Sequence, residues 1–143
     1  MAGGNLTSKM HVFGASSLNR TLNGSGTNHH QWVQLVYGRG NLQSIKVSNN
    51  GTDAHTLDFY DMGETITKNA GGQTIRTNGV TDNGTTITAT LGKLVHRVHV
   101  GAARENLDFD FHGAMLEKGL FCLCYGAGAS DAKTDISVSA QHN

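Results

Sequence analysis

The sequence predicts an all-β domain: an antiparallel β-sandwich or jelly roll of about eight short strands, preceded by an extended N-terminal arm. Three observations carry this. The chain has no proline and 19 glycines, with 12 Asn, 15 Thr and 9 Ser beside them. A helical bundle or coiled coil would instead be rich in Ala, Leu, Glu and Lys. Apolar residues fall in short runs that alternate with polar ones, the period of a half-buried strand. Asn-Gly steps stand between the runs at 50–51, 78–79 and 83–84, and Asn-Gly is the preferred pair of a type I′ turn because both positions tolerate φ > 0.

At 143 residues and 15.2 kDa the chain has the size of one domain with one real core. The first 30 residues read as a region apart. Met10-His11-Val12-Phe13 is their only apolar cluster, and Leu22-Asn23-Gly24-Ser25-Gly26-Thr27 can bury little. We expect residues 1–30 to form an extended arm held by a neighbouring subunit, and residues 31–143 to form the sandwich. No apolar stretch reaches the roughly 18 residues of a membrane-spanning helix. Met1-Ala2-Gly3-Gly4-Asn5 lacks the basic and apolar regions of a signal peptide.

From Gln31 the strand signals follow in order. Val33, Leu35 and Tyr37 alternate, as do Ile45 and Val47, Leu57 and Phe59, and Ile87, Ala89 and Leu91. Leu94, Val98 and Val100 continue the pattern, then Leu107, Phe109 and Phe111. Residues 120–125 are apolar on both faces, the mark of a central strand, and Ile136 and Val138 close the series. The segment 112–118 allows at most one helical turn.

Charge is unevenly placed. Residues 1–52 carry Lys9, Arg20, Arg39 and Lys46 and no acid, a balance of +4. Residues 53–143 hold the other 7 bases and all 11 acids, a balance of −4. Such a chain can associate head to tail with copies of itself. Nucleic acid is not expected as a partner, because four bases over fifty-two residues make a thin phosphate footprint without interleaved aromatics.

Candidate chemistry is sparse. His96 and His99 point to opposite faces of a strand, so they cannot share an ion, and His29-His30 has no third ligand nearby in sequence. The acids gather at Asp58, Asp61 and Glu64, at Asp108 and Asp110, and at Asp131 and Asp135. Loop carboxylates suit calcium, but no EF-hand spacing is present. A glycosidase pair would need aromatic platforms that Trp32 alone does not supply. No Gly-X-Ser-X-Gly elbow frames a serine, and neither Gly24-Ser25-Gly26 nor Gly126-Ala127-Gly128 precedes a helix that could bind phosphate. Cys122 and Cys124 share one face of a strand at the limit of disulfide reach, and we read them as reduced core thiols. The five Asn-X-Ser/Thr sequons at Asn5, Asn19, Asn23, Asn50 and Asn83 reflect a composition rich in Asn and Thr. The expectation is a protein that is not an enzyme and uses no metal or cofactor.

The stretch Ile45-Lys46-Val47-Ser48-Asn49-Asn50-Gly51-Thr52-Asp53-Ala54-His55-Thr56-Leu57-Asp58-Phe59-Tyr60-Asp61 resembles small β-sandwich virion proteins of tailed bacteriophages. Gly119-Leu120-Phe121-Cys122, the turn Gly126-Ala127-Gly128-Ala129-Ser130-Asp131 and the closing strand to Ala140 extend the likeness over roughly 43–141. The chain departs from that pattern in having no proline after Asp61 and a longer 63–92 segment. The resemblance implies a structural role in the particle: a capsid decoration or cement protein, or alternatively a neck or tail component. Its partners would be the major capsid protein or other virion proteins and copies of itself, with no membrane involved, and its location the virion. Expected assembly contacts are Met10, Val12, Phe13 and Arg20 of the arm, and Asp108 and Asp110 on the strand face opposite the aromatics. Deleting residues 1–28 should then abolish incorporation while leaving the sandwich folded. The alternative from another class is a module of similar fold that recognises a host glycan or protein through loops 38–41, 61–64 and 126–131.

Overall fold

A computed structural model of the chain describes residues 6–13, 20–24, 30–51, 53–101, 105–126 and 136–143. Thirteen strands are formed among them: β1 (Thr7–Phe13), β2 (Thr21–Leu22), β3 (His30–Tyr37), β4 (Gly40–Asn49), β5 (His55–Asp61), β6 (Thr65–Lys68), β7 (Thr74–Thr77), β8 (Val80–Asp82), β9 (Thr86–Ala89), β10 (Lys93–Val100), β11 (Glu105–Leu116), β12 (Gly119–Gly126) and β13 (Ile136–His142). Eight of them build two four-stranded antiparallel sheets, in the orders β1-β13-β4-β11 and β10-β5-β12-β3.

The pairing is nested. Taking those eight in chain order, the first pairs with the last (β1–β13), the second with the seventh (β3–β12), the third with the sixth (β4–β11) and the fourth with the fifth (β5–β10). Pairs β13–β4 and β12–β5 join these ribbons into sheets. One long two-stranded ribbon has been rolled up, so every link between consecutive main strands except β5 to β10 crosses from one sheet to the other. This is the jelly-roll form of the β-sandwich.

Alternation decides the faces. Leu42, Ile45, Val47, Ile136, Val138 and Ala140 point inward from the first sheet, and Leu57, Phe59, Val98, Val100, Cys122 and Cys124 from the second. Neither cysteine forms a disulfide and both are buried, and burial raises the Cys122 pKa well above its ordinary value, with the neighbouring Cys124 adding to the shift.

A second apolar cluster lies outside the sandwich. The strands β2, β9 and β8 form a small sheet. Leu22, Val80 and Leu91 join Tyr60, Met62, Phe121, Leu123 and Trp32 in this cluster. Trp32 stacks on Phe121 with ring centres 5.7 Å apart. This explains why residues 120–125 are apolar on both faces: β12 is central in its sheet and packed on both sides.

One segment takes a definite form and one expectation needs correction. Residues 112–118 form no helical turn: β11 runs to Leu116 and a tight reversal at Glu117-Lys118 leads into β12. The Asp61 carboxylate fixes that reversal by accepting the backbone N–H groups of Glu117 and Lys118 at 2.9 Å each and of Gly119 at 3.3 Å. The irregularity that sequence patterning registered there is a bulge: between Asp110 and Ala114 the register gains two residues over β4, with His112 at φ 51° and Gly113 at φ 80°.

The described part of residues 1–30 is not an extended arm laid on a neighbouring subunit but pairs with strands of its own chain. β1 is the edge strand of the first sheet, in register from Thr7 opposite His142 to Phe13 opposite Ile136. Phe13 is 1% exposed and belongs to the sandwich core, while β2 pairs with β9. Deleting residues 1–28 would therefore strip an edge strand and a core phenylalanine and would not leave the sandwich intact.

Candidate assembly surfaces

The two sheets differ in what lies on their outer faces. On the β10-β5-β12-β3 sheet, Asp58 is 3% exposed and is held by Arg97 through two hydrogen bonds, Nε to Oδ1 at 2.6 Å and Nη2 to Oδ2 at 2.9 Å. The hydroxyls of Tyr125 and Tyr60 reach Asp58 Oδ2 at 3.2 and 3.4 Å. The cross-strand register sets this up, since Arg97 and Leu123 flank Asp58 in adjacent strands. Burial first and then the Asp58 charge raise the pKa of both tyrosines, so each stays protonated and donates. Thirty-nine residues separate Arg97 from Asp58, and alternation alone did not predict the pair.

Arg20 also faces inward. Its Nε lies 2.8 Å from Asp82 Oδ1, with both side chains 16% exposed. Trp32 Nε1 donates to Asp82 Oδ2 at 2.8 Å. Burial works to raise the Asp82 pKa, but the Gly84 N–H, the indole and Arg20 outweigh it and hold it below the usual carboxylate value. Arg20 therefore ties the chain entering β2 to β8 within the small sheet, while the Trp32 indole ties Asp82 to the sandwich, and Arg20 is not presented to a partner. Phe13, in the core, is likewise withdrawn from any contact surface.

The outer face of the β1-β13-β4-β11 sheet carries no second layer among the described residues. Its rows can be read from the register: Ser8, Gln141, Ser44 and Asp110; Met10, Ser139, Lys46 and Asp108; Val12, Ser137, Ser48 and Asn106. Met10 is 75% and Val12 53% exposed at one edge. Asp108 and Asp110 stand at the other, each with its side chain 66% exposed. Lys46 Nζ lies 3.8 Å from Asp108, and Asp110 accepts the His112 N–H at 2.9 Å. Four of the six expected contact residues thus share one face, with serines between them.

The inner side of the β1 edge holds three basic groups. Lys9 and His11 share the side of Phe13, and His142 stands opposite Thr7. Burial lowers the His11 pKa, and burial together with Lys9 lowers that of His142. A histidine whose pKa is lower folded than unfolded contributes stability that is complete above the unfolded value of about 6.5 and is lost as pH falls through it. Melting curves should superimpose from about pH 8 to 7 and shift to lower temperature by pH 5, with His11→Gln/His142→Gln reducing the shift. Equal stability of the native chain at pH 7 and pH 5 would contradict this.

One cleft of about 620 Å³ opens where β5 begins and β10 and β12 end, lined by His55, Thr56, His99, Val100 and Tyr125 among others. Thr56 Oγ1 and His99 Nδ1 lie 3.0 Å apart at its wall. His96 instead faces Phe109 and Phe111 edge-on, so His96 and His99 occupy opposite faces, as the strand period requires. Among the described residues no three His, Cys, Asp or Glu side chains cluster as a metal site would need. His29, Asp131, Asp135, the loop 127–131 and the sequons at Asn5 and Asn19 lie outside the described residues. No protein-family description matches the chain, and no curated protein matches it.

Proposed function

We propose that the chain is a non-enzymatic structural protein of a tailed-phage particle, a decoration protein that binds the assembled shell and stabilises it. Its partners are the major capsid protein and further copies of itself, and its place is the virion. The observation that carries this reading is the uncovered four-stranded face bearing Met10, Val12, Asp108 and Asp110. Its apolar edge, hydroxyl-rich centre and acidic edge suit docking on another protein better than enclosing a small molecule. The jelly roll supports the reading by analogy only, since capsid proteins, lectins and cupins all use it. The resemblance of residues 45–61 and 119–140 to phage virion β-sandwiches points the same way.

The test is rebinding. Purified chain added to particles assembled without it should bind and raise the temperature at which they release their genome. Met10→Asp/Val12→Asp, both surface changes, should fold normally and bind at least about tenfold more weakly. Particles that neither bind the chain nor gain stability would overturn the proposal. The apolar cleft beside Thr56 and His99 favours a second reading, a host glycan- or protein-binding module. A glycan array with specific hits lost in Tyr125→Ala would bring that reading forward.

A further inference from the structure

The β6–β7 hairpin is the least supported element of the fold. Among the described residues it has no extensive packing against any other element, and all four residues of β6 are exposed. Its strands carry one isoleucine on each face: Ile66, 58% exposed, and Ile75, 44% exposed. A two-stranded hairpin with both faces in water is marginally stable at best. Yet the tip is closely tied. Asn69 Oδ1 accepts the N–H groups of Gly71 at 3.0 Å and Gln73 at 2.9 Å, and Asn69 Nδ2 donates to Gln73 Oε1 at 2.8 Å.

The register sorts its two faces. Ile66 and Lys68 share one, with Thr74 opposite Lys68 in β7; Thr65, Thr67, Ile75 and Thr77 share the other, which has no charge. The first face is therefore apolar and basic. The outer face of the β1-β13-β4-β11 sheet is its complement, with two acids, Asp108 and Asp110, against the single Lys46, and with Met10 and Val12 along the far edge. Three strand spacings put Met10 roughly 14 Å from Asp108, a width that Ile66 and the long arm of Lys68, about 7 Å apart along β6, can bridge. The exposed large apolar side chains of the described residues also fall in two places. Tyr37, Leu94 and Met115 stand with the hairpin at one end of the sandwich, and Leu6, Met10 and Val12 line the N-terminal edge.

We propose that the β6–β7 hairpin of one copy docks through its Ile66/Lys68 face onto the outer β1-β13-β4-β11 face of a second copy. The contact is head to tail, because hairpin and sheet face are different surfaces, and repetition closes a ring or extends a lattice. It rests on the structural reading above and names a neighbouring copy as what covers that face on the particle, so that Met10 and Val12 support particle binding through contacts between copies.

Sedimentation of the intact chain over a range of concentrations tests this. At low ionic strength the native chain should self-associate, and at about 0.5 M salt the association should weaken as charges are screened. Lys68→Glu and Ile66→Asp, both fully surface changes, should each weaken it about tenfold or more with an unchanged circular dichroism spectrum. Combining Lys68→Glu with Asp108→Lys/Asp110→Lys should restore association, because the charges are exchanged across the contact. A chain that stays monomeric at every concentration, an oligomer indifferent to Lys68→Glu and Ile66→Asp, or a charge exchange without rescue would each overturn the proposal. A monomer that still binds particles overturns the hairpin contact alone and leaves the decoration role standing.

Discussion

Gly119→Ala should destabilise the protein by roughly 4 kcal/mol, combining a backbone penalty of about 1–3 kcal/mol with an overpacking penalty of similar size. Gly119 opens β12 at φ 139°, a conformation that a residue with a side chain rarely adopts. A Cβ there would collide with the Val36 carbonyl oxygen and crowd Gln34 Nε2 and the Met62 carbonyl. These atoms cannot step aside easily, because Gln34 is buried and its Nε2 already donates to Val36 at 2.8 Å and to Met62 at 2.7 Å. Gly84→Ala is the matched control: φ is 88° but nothing lies within 4 Å of the new methyl, so only the backbone penalty of about 1–2 kcal/mol applies. Urea unfolding of the two variants measures the difference. Equal losses would show that Gly119 is tight in conformation but not in space.

Phe59→Ala should remove about 3–5 kcal/mol, the range for deleting a fully buried aromatic ring and leaving a partly collapsed cavity. Phe59 is 0% exposed in the middle of the sandwich core, between Cys122 on β12 and His96 on β10 in the register. Domains of this size have about 5–15 kcal/mol in total, so the variant would be at the margin of folding. Trp32, the single tryptophan, lies on the opposite side of the same sheet, against the small outer sheet. If the inner and outer clusters unfold as one unit, its fluorescence and the circular dichroism of the strands should lose their midpoints together. Separate midpoints would mean that the outer sheet melts by itself.

Strands buried on one or both faces were legible because their side chains must alternate or run continuously apolar. This holds for β3, β4, β5 and β9 to β13. β1 was not legible as a strand, because its exposed face carries Met10 and Val12 while Lys9 and His11 sit on the inner side, which inverts the expected pattern. β6 and β7 gave no signal since neither face is buried. The acidic face was legible in part: Asp108 and Asp110 alternate with Phe109 and Phe111, and the structure exposes the acids and half-buries the rings. Arg20 and Phe13 read as contact residues in the sequence because a segment poor in apolar residues does not reveal which distant strand it lies against. The partners of both, Asp82 and Ile136, are far away in the chain.

The copy number of this chain in purified particles, by quantitative mass spectrometry, tests the proposed structural role most directly. A decoration protein docked through an open sheet face should be present in numbers comparable to the major capsid protein. A few copies fixed by tail symmetry would move it to the neck or tail. Absence from the particles would contradict the structural role altogether.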